Sequence, residues 1–403
     1  MQPNLSGATV ISPRRLPDEL IFIIIEWCAY LEGDRERERT FAALCLLSRH
    51  YKPAAERHLC SRVTITGKVH AQGIFVSSAA QVVARRPELR QHVQSVAYGM
   101  IESPYVEEHL SIAALLVLLP NVEELVEPDW YSPALACMLA SARVRIRRLF
   151  MDTWQDSDAL PLENYPPVFS ALRHLRIQHL DNWDWFTLPP VLRRLTTLAF
   201  GRSVNGLNII YRDPEDEAFL PPNLDTLSFP LDLVHDSSSA LADCQRLRHF
   251  AIVGEASVAK YRTAIGQLAA LLYATPPTVL SISIDATLRI YTGDGKGNER
   301  VVADQEVLPI LIPPSSTDLL AAIPQQVEHL SLVTNCFRAV DVAIYLLSTS
   351  RPRALKRLRV GGDVGRGLGW ILYGGGAEGT RYAGLKTQLE RDGVIVTTVP
   401  SYW

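Results

Sequence analysis

The fold prediction rests on four similar segments of the sequence: LRHLRI (172–177), LTTLAF (195–200), LDTLSF (224–229) and LRHFAI (247–252). Each segment has apolar residues at its first, fourth and sixth positions, and successive starts lie 23, 29 and 23 residues apart. The pattern starts at residues 93, 122, 146, 172, 195, 224, 247, 279, 327 and 355, with Glu127 as its one departure. Short segments that alternate apolar and polar residues are typical of strands with one buried face. Strands recurring at this spacing predict a solenoid, in which each repeat buries its apolar face against its neighbours.

The repeat resembles the leucine-rich repeat in its period and in the spacing of its apolar residues. The resemblance covers most of residues 63–403, although few repeats hold the Asn or Cys that usually follows the strand. It implies an α/β fold, an irregular solenoid with parallel strands on the concave side and helices outside. Helical patterns at residues 339–348 and 380–392 agree with it. We also expect a β-hairpin insertion near residues 287–318 and a C-terminal cap near residues 380–403.

The third and fifth positions of each repeat point away from the predicted core and carry the candidate substrate-binding residues. These residues are Arg148, His174, Arg176, Arg357 and Arg359. Ser and Thr occupy many of the same positions in the repeats between them. A face with basic ends and a hydroxyl-rich centre suits an acidic or phosphorylated segment, because Arg pairs with carboxylate or phosphate through two hydrogen bonds. Ordinary solvated residues on the exposed side of a strand would give the same pattern.

A different pattern precedes the repeats, in the sequence LPDELIFIIIEWC at residues 16–28. Pro17 suits the first turn of a helix, and apolar residues recur after it on two helical faces. One face comprises Leu20, Ile24, Trp27 and Leu31, and the other comprises Ile21, Ile25 and Cys28. A helix on the surface of a domain needs only one apolar stripe, so the second stripe indicates a partner.

Two further short helices are expected after this one. The first is predicted at residues 41–48, with Thr40 as its N-cap, and the second at residues 53–59. Between them and the first helix, the charged residues 32–39 are expected to form a solvated loop or a frayed extension.

Residues 14–62 resemble an F-box. Leu16, Pro17, Leu20, Leu44, Leu47 and Tyr51 stand at the positions that this motif usually fills. The resemblance implies that the module binds the small adaptor subunit of a cullin–RING (SCF-type) ubiquitin ligase, and that the repeat domain holds a protein substrate for ubiquitin transfer. The ligase-adaptor-binding residues would be Leu16, Pro17, Leu20, Ile24, Trp27, Leu44 and Leu47. In a second interpretation, these helices only cap a leucine-rich-repeat interaction scaffold that has no link to a ligase.

The predicted domain organisation follows from the two patterns. Residues 1–13 form a disordered tail, residues 14–62 the F-box-like helical module, and residues 63–403 the solenoid.

The composition argues against several other classes of protein. A formal net charge of −3 argues against nucleic-acid binding, which needs a basic surface. The six cysteines include no CxxC pair, as expected in a reducing compartment. No apolar run approaches the roughly 18 residues of a membrane span. We therefore expect a cytoplasmic or nuclear protein that binds neither nucleic acid nor membrane.

Motifs for catalysis or for binding a cofactor or a metal are missing from the sequence. It contains neither GxSxG nor HExxH. The glycine-rich residues 361–369 fit neither nucleotide-binding spacing, and are interpreted as a loop before the C-terminal cap. We expect a protein that is not an enzyme. An enzyme hidden in the solenoid would instead require a pocket with converging ionisable groups.

Overall fold

The computed structural model describes residues 16–28, 34–65, 68–70, 73–75, 78–98, 116–126, 144–154, 166–180, 192–203, 220–230, 241, 243–257, 268–289, 291–293, 299–301, 316–334, 336–374 and 382–399. The chain divides into two compact units, Met1–Val122 and Glu123–Trp403. The expected tail at residues 1–13 lies outside the described residues, and the boundary at residues 62 and 63 stays a prediction.

The first unit begins with three helices and continues with short strands. Its elements are α1 (Asp18–Cys28), α2 (Asp34–Leu47), α3 (Lys52–Ser61), β1 (Arg62–Ile65), β2 (Lys68–His70), β3 (Gly73–Phe75), α4 (Ser78–Arg85), α5 (Pro87–Arg90) and β4 (Ser95–Tyr98). β1 and β4 pair in parallel, and β2 and β3 form an antiparallel hairpin. The helix predicted at residues 53–59 is confirmed by α3, which has a proline in its first turn.

The second helix differs from its prediction. It begins at Asp34, not at residue 41, and Thr40 lies inside it, where its Oγ1 donates a hydrogen bond to the carbonyl of Glu36 at 2.8 Å. The prediction of Thr40 as an N-cap was wrong. The charges of residues 34–39 alternate, so every pair three residues apart has opposite signs. Pairs four residues apart have like signs, so the charge pairs largely cancel, and the segment favours the helix because Arg and Glu are good helix formers.

The second unit is built on parallel strands. Its described residues contain ten strands that lie side by side in sequence order: β5 (Glu124–Val126), β6 (Arg148–Trp154), β7 (His174–Leu180), β8 (Thr197–Ser203), β9 (Thr226–Pro230), β10 (His249–Ser257), β11 (Ser281–Arg289), β14 (His329–Val333), β15 (Arg357–Gly361) and β16 (Ile395–Thr398). Every neighbouring pair among them is parallel. The expected hairpin insertion is formed by β12 (Tyr291–Gly293) and β13 (Glu299–Val301).

The apolar positions of the repeat form the core of this unit. The fourth position is paired in register from strand to strand as Leu125, Leu149, Leu175, Leu198, Leu227, Phe250, Ile282, Leu330, Leu358 and Val396. The first nine of these side chains are at most 2% exposed. A tight turn precedes many strands; for example, Leu224 and Val279 donate their N–H groups to the carbonyls of Pro221 and Pro276. Each repeat therefore supplies one strand whose apolar face packs against the adjacent repeats.

Helical segments connect the strands. They are α6 (Pro166–Phe169), a 3-10 helix (Leu192–Arg194), α7 (Ser316–Ala321), α8 (Ala339–Leu347), α9 (Gly362–Tyr373) and α10 (Ala383–Arg391). The helical patterns at residues 339–348 and 380–392 correspond to α8 and α10. An α/β chain with one parallel strand per repeat, in sequence order, is a leucine-rich-repeat-like solenoid. None of the described helices combines the length and the apolar character needed to cross a membrane.

The prediction of a loop at residues 361–369 was wrong, because most of this segment forms the start of α9. In α9, Val364, Leu368 and Ile371 are buried and recur at helical spacing. A Cβ added at Gly367 would lie only 2.5 Å from the Cβ of Ala339. Glycine costs a helix about 1 kcal/mol relative to alanine. Here the missing side chain permits a close approach to α8, which the sequence pattern does not reveal.

Candidate protein-interaction surfaces

The outward face of strands β5–β16 carries the candidate substrate-binding residues in two rows. The row of third positions reads Glu124, Arg148, His174, Thr197, Thr226, His249, Ser281, His329, Arg357 and Ile395. The row of fifth positions reads Val126, Phe150, Arg176, Ala199, Ser228, Ala251, Ser283, Ser331, Arg359 and Thr397. Both rows are exposed or half-buried along their whole length. The five candidate residues therefore share one face but fall into two groups, on β6–β7 and on β15.

The group on β6 and β7 brings Arg148, His174 and Arg176 together. Arg148 and His174 are direct partners in the parallel register, and Arg176 follows on the same face of β7. Arg147 and Arg173, which precede these strands, add two more cations. This group therefore holds four Arg side chains, on and beside two neighbouring strands.

Acidic residues offset only part of this charge. Glu124 Oε2 lies 3.4 Å from Arg148 Nη1, and Glu123 Oε1 lies 3.5 Å from Arg147 Nη1. Both Arg side chains remain more than half exposed, so each ion pair contributes about 1 kcal/mol or less.

His174 reports on the electrostatics of this group. Its Nδ1 lies 2.9 Å from the Oγ1 of Thr197 on β8. Burial lowers the pKa of His174 below its usual value, and the cations of Arg148 and Arg173 lower it further. The ring is therefore held toward its neutral form, with one nitrogen directed to the hydroxyl of Thr197.

The group on β15 consists of Arg357 and Arg359, on the same strand and face. His329 and Ser331 are their partners on β14. Lys356 lies beside them, with its Nζ 2.8 Å from Glu328 Oε2. The hydrogen bond from Lys356 holds the pKa of the Glu328 carboxyl below its usual range.

The centre of the face is small and polar. Ser228 donates a hydrogen bond to the carbonyl of Phe200 at 3.2 Å. His249 and His329 are separated by Ser281 in the row of third positions, so they lie two strands apart. In the part of the chain that the structure describes, no group of three or more His, Cys, Asp or Glu side chains could hold a metal ion.

Helix α1 carries the second candidate surface, and its two apolar faces have separate environments. Ile25 is fully buried with Phe41 of α2 and Ala55 of α3. Ile21 and Cys28 pack against this core, as the sequence predicts for the inner face.

The outer face of α1 is exposed. The exposed fractions are 55% for Leu16, 45% for Leu20, 47% for Ile23, 43% for Ile24 and 71% for Trp27. Leu20, Ile23, Ile24 and Trp27 follow helical spacing, and we call these four residues the α1 stripe. Pro17 is also exposed, whereas Leu31 lies outside the described residues. The sequence reasoning missed Ile23, although its spacing to Leu20 and Trp27 would have shown it.

The two predicted adaptor-binding residues of α2 have different environments. Leu47 is 75% exposed, but Leu44 packs against the core of the three helices. The neighbouring Leu46, which was not predicted, is 89% exposed. Leu44 shares the inner face of α2 with Phe41 and Cys45, whereas Leu46 and Leu47 fall outside that face.

Polar contacts hold α1 on the other two helices. Asp18 accepts a hydrogen bond from the hydroxyl of Tyr51. Glu26 Oε1 lies 2.8 Å from Arg57 Nη2 and 3.1 Å from His58 Nε2, and the His58 ring stacks on Phe41 with centroids 5.2 Å apart. His58 and Arg57 lower the pKa of the Glu26 carboxyl below its usual value. These contacts fix which face of α1 is turned outward.

The buried cysteines are held as thiols. Burial raises the pKa of Cys60 to about 11 and those of Cys244 and Cys336 to about 12. A protonated thiol is neither a good nucleophile nor a metal ligand, so these three side chains act as small apolar groups in the core.

No family model matches the sequence, and no curated protein matches it either. Among solved structures, the leucine-rich repeat-containing protein LegL7 from Legionella pneumophila is similar with a TM-score of 0.44 and 13% identity, covering 84% of this chain and 91% of that chain. The structure of a TLR13–ssRNA13 complex is similar with a TM-score of 0.31 and 13% identity, covering 78% of this chain and 46% of that chain. At these TM-scores, the assignment of the repeat fold rests on the order, register and spacing of the strands in this chain.

Proposed function

We propose that this chain is a substrate-recognition adaptor of a cullin–RING ubiquitin ligase. Its α1 stripe binds the small adaptor subunit of the ligase, and the outward face of its strands binds a protein substrate. The observation that carries the proposal is the exposure of the stripe on a helix whose opposite face is already buried. The F-box resemblance of residues 14–62 selects the partner.

The stripe is large enough to bind a partner. Full burial of an exposed side chain of this kind contributes about 1.5–3 kcal/mol, so covering the part of each stripe residue that is still exposed contributes about 1 kcal/mol. The four residues of the α1 stripe, Leu20, Ile23, Ile24 and Trp27, can therefore together contribute more binding free energy than a few scattered apolar surface residues. Contiguous exposed apolar residues mark interaction sites in proteins.

The mechanism is tethering. An adaptor that holds a substrate beside the ligase raises its effective concentration at the site of ubiquitin transfer, and the partners carry out the covalent chemistry. The outward rows suit this role because their polar and basic side chains provide directional contacts, whereas the buried rows keep the strands in register.

Copurification with the ligase adaptor subunit tests the proposal. We expect the wild-type chain to retain the subunit, and the variant Leu20→Asp with Ile24→Asp to lose it while melting at the wild-type temperature. Both side chains are exposed, so their replacement leaves the core of the three helices intact. The matched control is Ile344→Asp with Leu347→Asp, two exposed apolar residues of α8, which should retain the subunit.

A second candidate function is an interaction scaffold without a ligase link, with the three helices acting as a cap. The observation that favours it is the attachment of α3 to the elements after it. Arg86 Nη1 lies 2.9 Å from Glu56 Oε1, and Gln94 donates its N–H to the carbonyl of Ser61. If the folded wild-type chain does not retain the adaptor subunit, the ligase link is lost and this second function is favoured.

A further inference from the structure

We propose that the outer edge of β16 pairs with the same edge of a second copy of this chain, in an antiparallel arrangement about a two-fold axis. The observation that carries the inference is a strand at the end of the described sheet whose main-chain groups and side chains are complementary to themselves. The inference goes beyond the proposed function and does not depend on it.

The strand β16 presents main-chain hydrogen-bonding groups on the side away from β15. The N–H groups of Ile395 and Val399 donate to carbonyls of the preceding repeat, at 2.9 and 2.8 Å. Successive residues of a strand direct these groups to opposite edges, so Val396 and Thr398 direct theirs outward. In the sheet formed by the described residues, no strand follows β16. Another extended polypeptide chain complements outward N–H and C=O groups of this kind.

The sequence of β16 lacks the features that usually prevent pairing at an edge. Exposed edge strands commonly carry charged side chains, proline or a bulge. Residues 394–399 read VIVTTV, with no charge and no proline, and the register of β16 with β15 is continuous. The β-branched residues of this segment favour an extended strand. The edge is therefore suited to accept a further strand.

The buried row is also less completely covered at β16 than in the other strands of its unit. Val396 occupies the fourth position of the repeat and is half-buried, whereas the nine residues paired before it in this row are at most 2% exposed. Ile395, in the outward row of third positions, is 60% exposed. A strand added at this edge would cover part of both side chains, and burial of apolar area favours association.

The residues of β16 favour a second copy as that strand. A two-fold axis makes the pairing antiparallel and requires one surface to complement itself. Val396 and Thr398 would exchange main-chain hydrogen bonds with the partner's Thr398 and the partner's Val396. Thr397 then faces the partner's Thr397, and Ile395 faces the partner's Val399. Thr–Thr pairs are favourable across strands, the Ile–Val contact buries apolar surface, and no like charges meet in this register.

Helix α10 is compatible with a second copy beside β16. The Nζ of Lys386 lies 4.9 Å from the centre of the Tyr373 ring, so this side of α10 faces α9. Gly384 and Gln388 lie on the opposite side of the helix, and neither is charged. A Cβ added at Gly384 would have no atom within 4 Å. These two residues therefore place no like charges against the second copy.

Sedimentation velocity on the full chain tests the inference. Pairing of one short strand buries less area than a standard interface, so we expect a reversible dimer with a dissociation constant in about the micromolar range. The wild-type chain should therefore shift from the mass of one chain to twice that mass between about 1 and 100 μM.

Charge variants at Thr397 test the edge and the identity of the second strand together. In Thr397→Lys two positive charges would face each other across the two-fold axis, and in Thr397→Glu two negative charges would do so. Each variant alone should weaken dimerisation about fivefold or more, and an equimolar mixture of the two should recover a heterodimer. Recovery in the mixture is not expected if the variants have misfolded.

A main-chain variant and matched controls complete the experiment. Thr398→Pro removes an N–H group directed away from β15 and should also weaken the dimer, with an unchanged thermal melt. Ser331→Lys and Ser331→Glu place the same charges in the same outward row, on the other side of Arg359, and should dimerise like the wild type. Leu20→Asp with Ile24→Asp should also dimerise, because the α1 stripe is not part of this interface.

Four outcomes would overturn the inference. A wild-type chain that stays monomeric up to about 100 μM would leave the edge to a strand of another protein. A dimer that both Thr397 variants retain at full strength would place the interface elsewhere. Growth of the wild type into larger polymers would exclude a closed two-fold pair. Loss of the dimer in the Leu20 and Ile24 variant would assign the interface to α1.

Discussion

Helix α1 and the strands of residues 123–403 each have one buried and one exposed face, but the exposed faces differ in chemistry. On α1 the exposed face is apolar and consists of the α1 stripe, Leu20, Ile23, Ile24 and Trp27. On the strands it is polar, with basic side chains on β6–β7 and on β15 and hydroxyl groups between them. In both regions the buried face is what holds the element in place.

This difference suggests two kinds of binding. Apolar burial is non-directional and supplies affinity in proportion to area, which suits a fixed partner. Charged and hydroxyl side chains depend on geometry and discriminate between partners. Within each region, two adjacent positions, one buried and one exposed, should therefore respond differently to substitution.

The largest effect is expected in the strands. Phe250 on β10 is 2% exposed and lies between Leu227 and Ile282 in the buried row. Phe250→Ala should lower the free energy of unfolding of its unit by about 3–5 kcal/mol, because it leaves a cavity in the core. Ala251→Ser, on the outward row, should change it by less than about 0.5 kcal/mol. Urea unfolding measures both, and equal effects would contradict the two-faced register.

A smaller effect is expected for the same test on α1. Ile25 is fully buried and Ile24 is 43% exposed, although the two are identical neighbours in the sequence. Ile25→Ala should destabilise the three helices by about 2–4 kcal/mol. Ile24→Ala should change their stability by less than about 0.5 kcal/mol, since alanine is a better helix former and no core contact is lost. Thermal melts followed by circular dichroism compare the two variants. A loss of stability in Ile24→Ala would show that the stripe supports the fold.

A third test concerns two glycines of α9. Gly362 has φ of 62°, in the left-handed region, and a Cβ there would lie 3.2 Å from the carbonyl oxygen of Thr334. Gly362→Ala should therefore cost about 1–2 kcal/mol. A Cβ at Gly369 would have no atom within 4 Å, so Gly369→Ala should stabilise the chain by about 0.5–1 kcal/mol. Effects of opposite sign in chemical denaturation confirm this prediction, and effects of the same sign contradict it.

The strands could be predicted from the sequence because their signal is local and repeated. Apolar residues at the first, fourth and sixth positions of each repeat specify which face is buried, and a constant pattern in every repeat fixes the register between neighbours. The outward rows follow from the same alternation. The inner and outer faces of α1 were predictable for a similar reason, since Ile25 and Ile24 fall on different helical stripes.

Other parts depend on tertiary structure and could not be predicted in this way. The glycines of residues 361–369 favoured a loop over a helix, and the reason for Gly367, its close approach to Ala339, is visible only in the tertiary structure. The spacing of Leu44 to Phe41 puts both on one face of α2, but that this face packs against α1 and α3 is a tertiary property. The repeat pattern places Arg148 beside His174, but the 2.9 Å contact between His174 Nδ1 and Thr197 Oγ1 needed the side-chain positions.

The smallest effect is expected at the ion pair that holds α1 on α3. The pKa of Glu26 is lowered in the folded chain, so its charged form stabilises the fold at pH values above the usual carboxyl pKa. This contribution is lost as the pH falls through the lowered folded pKa. The Glu26 side chain is 53% exposed, which limits the contribution to about 1 kcal/mol or less. Glu26→Gln should thus be less stable than wild type at pH 6, and the gap should narrow as the pH falls below the usual carboxyl pKa. Urea unfolding across this range measures the gap.

The control is Glu38→Gln, a substitution at an exposed residue of α2, which should show no such change. A gap for Glu26→Gln that does not narrow between pH 6 and pH 3 would mean that packing of the side chain, and not its charge, holds the helix.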